Sequence, residues 1–169
     1  VGSEMCIRDR YNTDIYCRMY RSVEELLAYA HQTSPKVYRP FIMTEYLHTM
    51  GNSGGGLKEY MEVFESEPVV QGGCIWDWVD QSFREVDAHG KWYWAYGGDY
   101  GPENIPSFGN FCCNGLVNAV REPHPHLKEV KKTYQYIKCT LKDPKNLTIA
   151  IKNWYDFTNL NAYVLLSLI

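Results

Sequence analysis

Arg39-Pro-Phe-Ile-Met-Thr-Glu-Tyr-Leu-His-Thr-Met-Gly-Asn-Ser53 is the stretch on which the rest of the chain depends. The apolar run Phe41-Ile-Met43 lies between a proline and a Gly/Ser-rich loop, which predicts a short buried strand. Thr44-Glu-Tyr46 ends it, and His48 follows. A barrel or open α/β sheet carries its chemistry at the C-terminal ends of its strands, where Glu45 falls. Spacing alone leaves two readings for Glu45, a solvated strand-end acid or a catalytic carboxylate.

Upstream, the β-branched and aromatic content of Thr13 to Tyr20 predicts another strand. Ser22 with Glu25 three residues later forms a capping box, and Val23, Leu26, Leu27 and Ala30 share one face of the helix that follows. Ser34-Pro35 stops it. Downstream of the Gly54-Gly-Gly56 loop, Leu57, Tyr60, Met61 and Phe64 repeat the helical spacing as far as Glu67-Pro68. Val69 to Trp78 then predicts a third strand, and its two glycines point to a bend or a close backbone approach. Residues 13–78 thus read strand, helix, strand, helix, strand, the alternation of a parallel sheet with crossover helices.

Residues 79–122 are rich in aromatics and turn residues such as Asp87-Ala-His-Gly90, with few helical signals; so long a connection is usually functional. Leu127, Val130 and Tyr134 mark a short helix. From Tyr136 the period becomes two, with Ile137, Cys139 and Leu141, then Leu147, Ile149 and Ile151, alternating with polar residues across the turn Asp143-Pro-Lys-Asn146. Strands with one wet face belong to an antiparallel sandwich, which sets a domain boundary near residues 134–138.

A length of 169 residues accommodates one ordinary domain or pieces of two. Aromatic content of 15%, with five tryptophans, suits a site that packs flat faces. Net charge is −3 without a basic block, which gives nucleic acid no footing. No apolar run reaches the ~18 residues that signal a membrane span. The cysteines (Cys6, Cys17, Cys74, Cys112, Cys113, Cys139) have neither C-x-x-C spacing nor the density of a disulfide scaffold. They read as mostly buried thiols of a reducing compartment, the cytoplasm being favoured, and not as a zinc site. Val1 to Arg10 reads as a non-native leader. The apolar run from Ala162 to Ile169 has no closing turn, as expected of a piece of something larger.

Four motifs now stand in order: Thr44-Glu-Tyr-Leu-His-Thr-Met-Gly-Asn-Ser53, Gln71-Gly-Gly-Cys-Ile-Trp-Asp-Trp-Val-Asp-Gln-Ser82, Tyr96-Gly-Gly-Asp-Tyr-Gly101 and Asn110-Phe-Cys-Cys-Asn-Gly-Leu-Val117. Together they resemble the large bacterial β-galactosidases of glycoside hydrolase family 2, a group that also holds β-glucuronidases and β-mannosidases. The resemblance runs from about Thr13 to the end, and its specificity lies in the order of all four motifs. It implies an α/β fold in which residues 11–135 are about strands 6–8 of a (β/α)8 TIM barrel. Residues 136–169 would begin an all-β sandwich domain.

The resemblance implies that Glu45 is the nucleophile of a retaining glycosidase, whose two carboxyl groups stand ~5 Å apart. Tyr20 matches the tyrosine that hydrogen-bonds this carboxylate; its alternative is an interfacial aromatic of the barrel wall. His48, Trp76 and Asn114 match substrate-binding positions, Trp76 as an apolar floor for the sugar's C–H face. His48 could instead cap loop backbone, and Asn114 the turn at Gly115. A cis peptide is implied between Trp76 and Asp77, while Trp78 is expected to pack structurally. Phe111, through its backbone carbonyl, and Asn114, through its side-chain oxygen, match ligands of a Na+ ion; neutral oxygens suit a hard cation. This pair favours β-galactosidase over its cousins.

The acid/base glutamate of the family follows an asparagine on an earlier strand, near the Mg2+ ligands, and no Asn-Glu pair occurs in this chain; Glu103-Asn104 is reversed. The expected partners are therefore a β-galactoside such as lactose, the remainder of the barrel and its flanking sandwich domains, and further copies in a homo-oligomer, with no nucleic acid or membrane. The chain by itself is expected to be inactive. The alternatives are another family 2 specificity or a non-catalytic carbohydrate-binding or assembly module.

Overall fold

The computed structural model describes residues 13–166, so the reading of Val1 to Arg10 as a leader, and Cys6 with it, lies outside the described residues. The chain divides into two compact units, one ending at Thr133 and the other beginning at Tyr134.

In the first unit, β1 (Tyr16–Met19), β2 (Phe41–Tyr46) and β3 (Val70–Ile75) form a parallel sheet in that order. Helix α1 (Val23–Ala30) connects β1 to β2, and α2 (Leu57–Ser66) connects β2 to β3. Parallel neighbours need such crossovers because a tight turn can only reverse the chain. Helix α1 starts where the capping box requires. The Ser22 hydroxyl accepts from Glu25 N–H at 3.3 Å, and the Glu25 carboxylate accepts from Ser22 N–H at 2.8 Å. The Ser34–Pro35 peptide beyond it is cis.

The core joins Leu26 of α1, Phe41, Met43 and Tyr46 of β2, Leu57 and Val63 of α2, and Val70 of β3. Leu116 and Val130 complete it, the latter from helix α3 (Leu127–Thr133). Tyr46 meets Tyr60 and Phe64 of α2 edge-on, with ring centroids 5.4 and 5.5 Å apart. Both glycines of β3 have a backbone reason: Gly72 has φ +125°, and Gly73 lies against Met43 too closely to admit a Cβ.

Several expectations need correction. Residues 79–122 are not only connection, because β4 (Phe83–Val86) and β5 (Trp92–Ala95) form an antiparallel hairpin around Asp87 to Gly90. The Asp87 carboxylate accepts from His89 N–H and Lys91 N–H at 2.9 Å each, which closes the turn. None of the five described cysteines is buried, and Cys74 and Cys139 are exposed: one lies on the edge strand of the three-stranded sheet, the other on a two-stranded ribbon. Trp78 is 58% exposed, since it contributes backbone bonds to the loop packing and leaves its ring in solvent. Tyr134 falls outside α3.

In the second unit, β6 (Ile137–Asp143) and β7 (Thr148–Asn153) pair antiparallel, and the Asp143 carboxylate accepts the N–H groups of Lys145 and Asn146 in the turn. The period-two alternation leaves both faces open here, with Leu141, Ile149 and Ile151 exposed, because a two-stranded ribbon has no second layer to bury them. Lys152 of β7 places its Nζ 3.7 Å from the centroid of the Trp154 ring, and Tyr136, just before β6, stacks on Tyr155 at 4.7 Å. No helix among the described residues is long and apolar enough to cross a membrane.

Candidate active site

The C-terminal ends of β1, β2 and β3 carry Tyr20, Glu45 and Trp76. What turns Glu45 away from the core is a β-bulge. Arg18 of β1 faces Met43, but the next residue, Met19, faces Glu45, so Thr44 is an extra residue in β2. Buried positions on β2 therefore run Phe41, Met43, Tyr46, and Glu45 falls on the opposite face from the Tyr46 anchor. The Thr44 hydroxyl braces the bulge by donating to Arg18 O at 3.3 Å.

Tyr20 closes over Glu45 from β1. Its phenol Oη donates to Glu45 Oε2 at 2.8 Å, and its N–H donates to Glu45 O at 2.9 Å. Partial burial, then the bond to Glu45 and the negative charges of Glu45 and Asp77, hold the phenol well above its usual pKa, so it remains a donor.

Leu47, in the left-handed region at φ 55°, swings the chain out of β2 into the His48 loop. That loop is latched to β3: Trp76 N–H donates to Tyr46 O at 3.0 Å and Thr49 N–H to Trp76 O at 2.8 Å. The His48 ring stacks on Phe111 at 5.0 Å and meets Tyr20 edge-on at 6.2 Å. The Asn114 amide nitrogen donates to Phe111 O at 3.2 Å and lies 3.5 Å from His48 Nε2. Glu45, Tyr20, His48, Phe111 and Asn114 are thus connected by direct contacts. Trp76, whose peptide bond to Asp77 is cis, joins Phe111 and Asn114 along a cleft of about 570 Å3. Glu45, Tyr20 and His48 do not line this cleft.

Asn114 is 2% exposed, and its Oδ1 has no hydrogen-bond donor among the described residues. An orphaned buried amide oxygen is costly unless something positive meets it. The Phe111 carbonyl meets the Nδ2 branch of the same amide, so the oxygens gathered at Asn114 are neutral, suited to a hard monovalent cation and unsuited to a soft metal. Among the described residues, no three His, Cys, Asp or Glu side chains gather to hold a metal.

Sequence reasoning missed the residues that hold Asn114 in place. The Thr49 hydroxyl donates to Asn114 O, as does Asp77 N–H at 2.9 Å. Asp80, Gly115, His124 and His126 form a second set of braces. Asp80 lies in one of the four motifs and His124 stands between two prolines, but neither spacing announces their meeting.

The chain is similar to known proteins over most of its length. The family described as glycosyl hydrolases family 2, TIM barrel domain, matches residues 3–139. A β-galactosidase of Priestia megaterium (strain DSM 319 / IMG 1521) is 46% identical over 156 residues, covering 92% of this chain and 15% of the relative. β-Galactosidases of Yersinia pestis bv. Antiqua (strain Angola) and Yersinia pseudotuberculosis serotype O:3 (strain YPIII) are each 42% identical over 154 residues, covering 86% of this chain and 14% of theirs. The chain spans about one seventh of the length of these curated relatives.

Proposed function

The chain belongs to glycosyl hydrolases family 2, and from that premise we propose that it is the C-terminal barrel portion, about strands six to eight, of a retaining β-galactosidase, followed by the start of a β-sandwich domain. The observation that carries the role of Glu45 is the Tyr20–Glu45 pair at the tips of two parallel strands. A phenol donating to one carboxylate oxygen orients the group, while the other oxygen takes no hydrogen bond from the described residues.

In this reading a carboxylate oxygen of Glu45 attacks the anomeric carbon of a terminal β-galactoside. The glycosidic C–O bond breaks as an ester bond to Glu45 forms, and the leaving oxygen takes a proton from an acid elsewhere in the barrel. Water then cleaves the ester, losing its proton to the same group. Trp76 packs on the apolar face of the sugar, and His48 and Asn114 meet its hydroxyls. The Phe111 carbonyl and the Asn114 side-chain oxygen would hold Na+, which when bound places positive charge beside a sugar hydroxyl. The Mg2+ ligands belong to residues outside this chain, and the whole enzyme is a homo-oligomer. Three strands cannot close a barrel, and no acid/base glutamate follows an asparagine here, so the 169-residue chain alone does not hydrolyse an unactivated galactoside.

The test is made in the full-length enzyme. Glu45→Gln lowers turnover of a galactoside chromogen by several orders of magnitude, and a 2-fluoro-galactoside inactivator labels the peptide containing Glu45. Label on another residue, or near-normal turnover of the variant, overturns the assignment. Faster hydrolysis of a glucuronide or mannoside than of the galactoside overturns the specificity.

A further inference from the structure

We infer that Asp80 and His124 are positioning residues for the Asn114 site: their carboxylate–imidazole pair clamps the backbone that presents Asn114 and so sets how tightly cation and galactoside are held. This rests on the reading of Asn114 as a cation and sugar ligand. The Asp80 side chain is 12% exposed and uses both carboxylate oxygens. Oδ1 accepts Gly115 N–H at 2.7 Å, and Oδ2 lies 2.8 Å from His124 Nε2. An ionised carboxylate only accepts, so His124 Nε2 carries the proton in this contact. His124 is itself held, its N–H donating to Leu116 O at 3.0 Å and its ring stacking on His126 at 5.7 Å. His126 Nε2 lies 3.2 Å from Gly115 O, another obligate acceptor, so it too is a donor.

Gly115, the residue after Asn114, is therefore gripped at both its N–H and its C=O. It has no room for a side chain: a Cβ would overlap the backbone of Val79, Asp80 and Val117. Around it Asp77 N–H donates to Asn114 O, Leu116 N–H to Asp77 O and Asp80 N–H to Val117 O, each at 2.9 Å. This much bracing goes with the unpartnered Asn114 Oδ1. A buried oxygen without a donor disfavours its own position, so its location is imposed by its surroundings. Released from the clamp, Asn114 would turn to find a donor, and the site would have to be rebuilt at each binding event. Asp80 suits the task because charge-assisted bonds hold a short carboxylate more firmly than neutral ones would.

The experiment compares Asp80→Ala, Asp80→Asn, His124→Ala and, as reference, Asn114→Ala in the full-length enzyme, measuring the Na+ dissociation constant by tryptophan-fluorescence titration without substrate and the galactoside KM. Asp80→Ala and His124→Ala should raise both by about 10- to 100-fold, the range for losing an outer partner of a bound metal. Asp80→Asn should stay within about threefold, because its amide still accepts from Gly115 N–H and can donate its NH2 to His124 once the imidazole carries its proton on Nδ1 and leaves Nε2 as the acceptor. A brace for the fold alone would lower the melting temperature and leave both constants of the folded enzyme unchanged. Should Asp80→Ala fail to fold, His124→Ala, which keeps the Asp80–Gly115 bond, carries the same test. Wild-type constants in the Asp80 and His124 variants, with both shifted by Asn114→Ala, overturn the clamp and leave the site standing. If Asn114→Ala shifts neither, the reading of Asn114 falls and the clamp with it.

Discussion

Tyr20 and Glu45 are joined twice, backbone to backbone at 2.9 Å and phenol to carboxylate at 2.8 Å. The backbone bond follows directly on the bulge that brings Met19 opposite Glu45. The register that sets the two side chains face to face is thus fixed by main-chain pairing, which a change of side chain would leave intact. Tyr20 also sits at φ 51°, a left-handed conformation unusual for a bulky residue.

Tyr20→Phe keeps the ring and the backbone bond and removes only the donor. A hydrogen bond to a charged group contributes about 1.5–3 kcal/mol, so kcat/KM of the full-length enzyme should fall by roughly 10- to 100-fold. A loss below twofold would show that the bond takes no part in the reaction. The same pair carries a pH signature. Burial first, then the bond to Glu45, raise the Tyr20 phenol above its usual 10.0. From about pH 10 upward the unfolded chain releases a proton that the folded chain keeps, so this contribution to stability is whole below pH 10 and declines as pH climbs toward the folded pKa. The phenolate absorbance of wild type minus Tyr20→Phe should therefore lack a step near pH 10, and a step there would contradict a phenol held protonated.

The Cys113 thiol pKa is raised to about 11, chiefly because the half-buried group is partly removed from water, with the Cys112 thiol and the Asp80 charge adding to it. At pH 8 only about one Cys113 in a thousand is then a thiolate, the form that reacts. Exposed Cys74 and Cys139 should take up a thiol reagent at pH 8 while Cys113 does not, as read by mass mapping of peptides after brief exposure. Labelling of Cys113 as fast as of Cys139 would refute its protection.

The strand–helix–strand–helix–strand succession was legible because each boundary has a local cause, such as the Ser22–Glu25 box, Ser34-Pro35 or the glycines at 54–56. The β4–β5 hairpin was not: each strand has four residues, and Trp92-Tyr-Trp-Ala95 is apolar on both faces, so no alternation separates strand from loop. The identity of Glu45 as a strand-end acid was likewise local. The bulge that aims it was not, because it exists only in the pairing with β1. Thr49 reaches Asn114 across 65 residues, and His124 reaches Asp80 across 44. Contacts of that separation leave no periodic trace, so a motif can place its members without revealing what holds them.

Gly73 shows the same dependence on pairing, and its replacement gives a test of how β2 and β3 fit together. It faces Met43 across the strands, and a Cβ there would lie 2.9 Å from Met43 O, 3.0 Å from Met43 Cβ and 3.1 Å from a Tyr46 ring carbon. The first contact is backbone within the ladder, and Met43 and Tyr46 are both fully buried, so nothing can yield without moving the core. Gly73→Ala should therefore destabilise by about 1–3 kcal/mol, the usual cost of overpacking. Gly72→Ala differs in kind: no described residue lies within 4 Å of its Cβ, and its φ of +125° is what resists substitution. Denaturant midpoints of the two variants separate steric from conformational cost. Because Tyr46 anchors the strand end next to Glu45, Gly73→Ala should also depress kcat in the full-length enzyme at temperatures where it remains folded. A Gly73→Ala variant with wild-type midpoint and kcat would mean that β2 and β3 can part without disturbing Glu45.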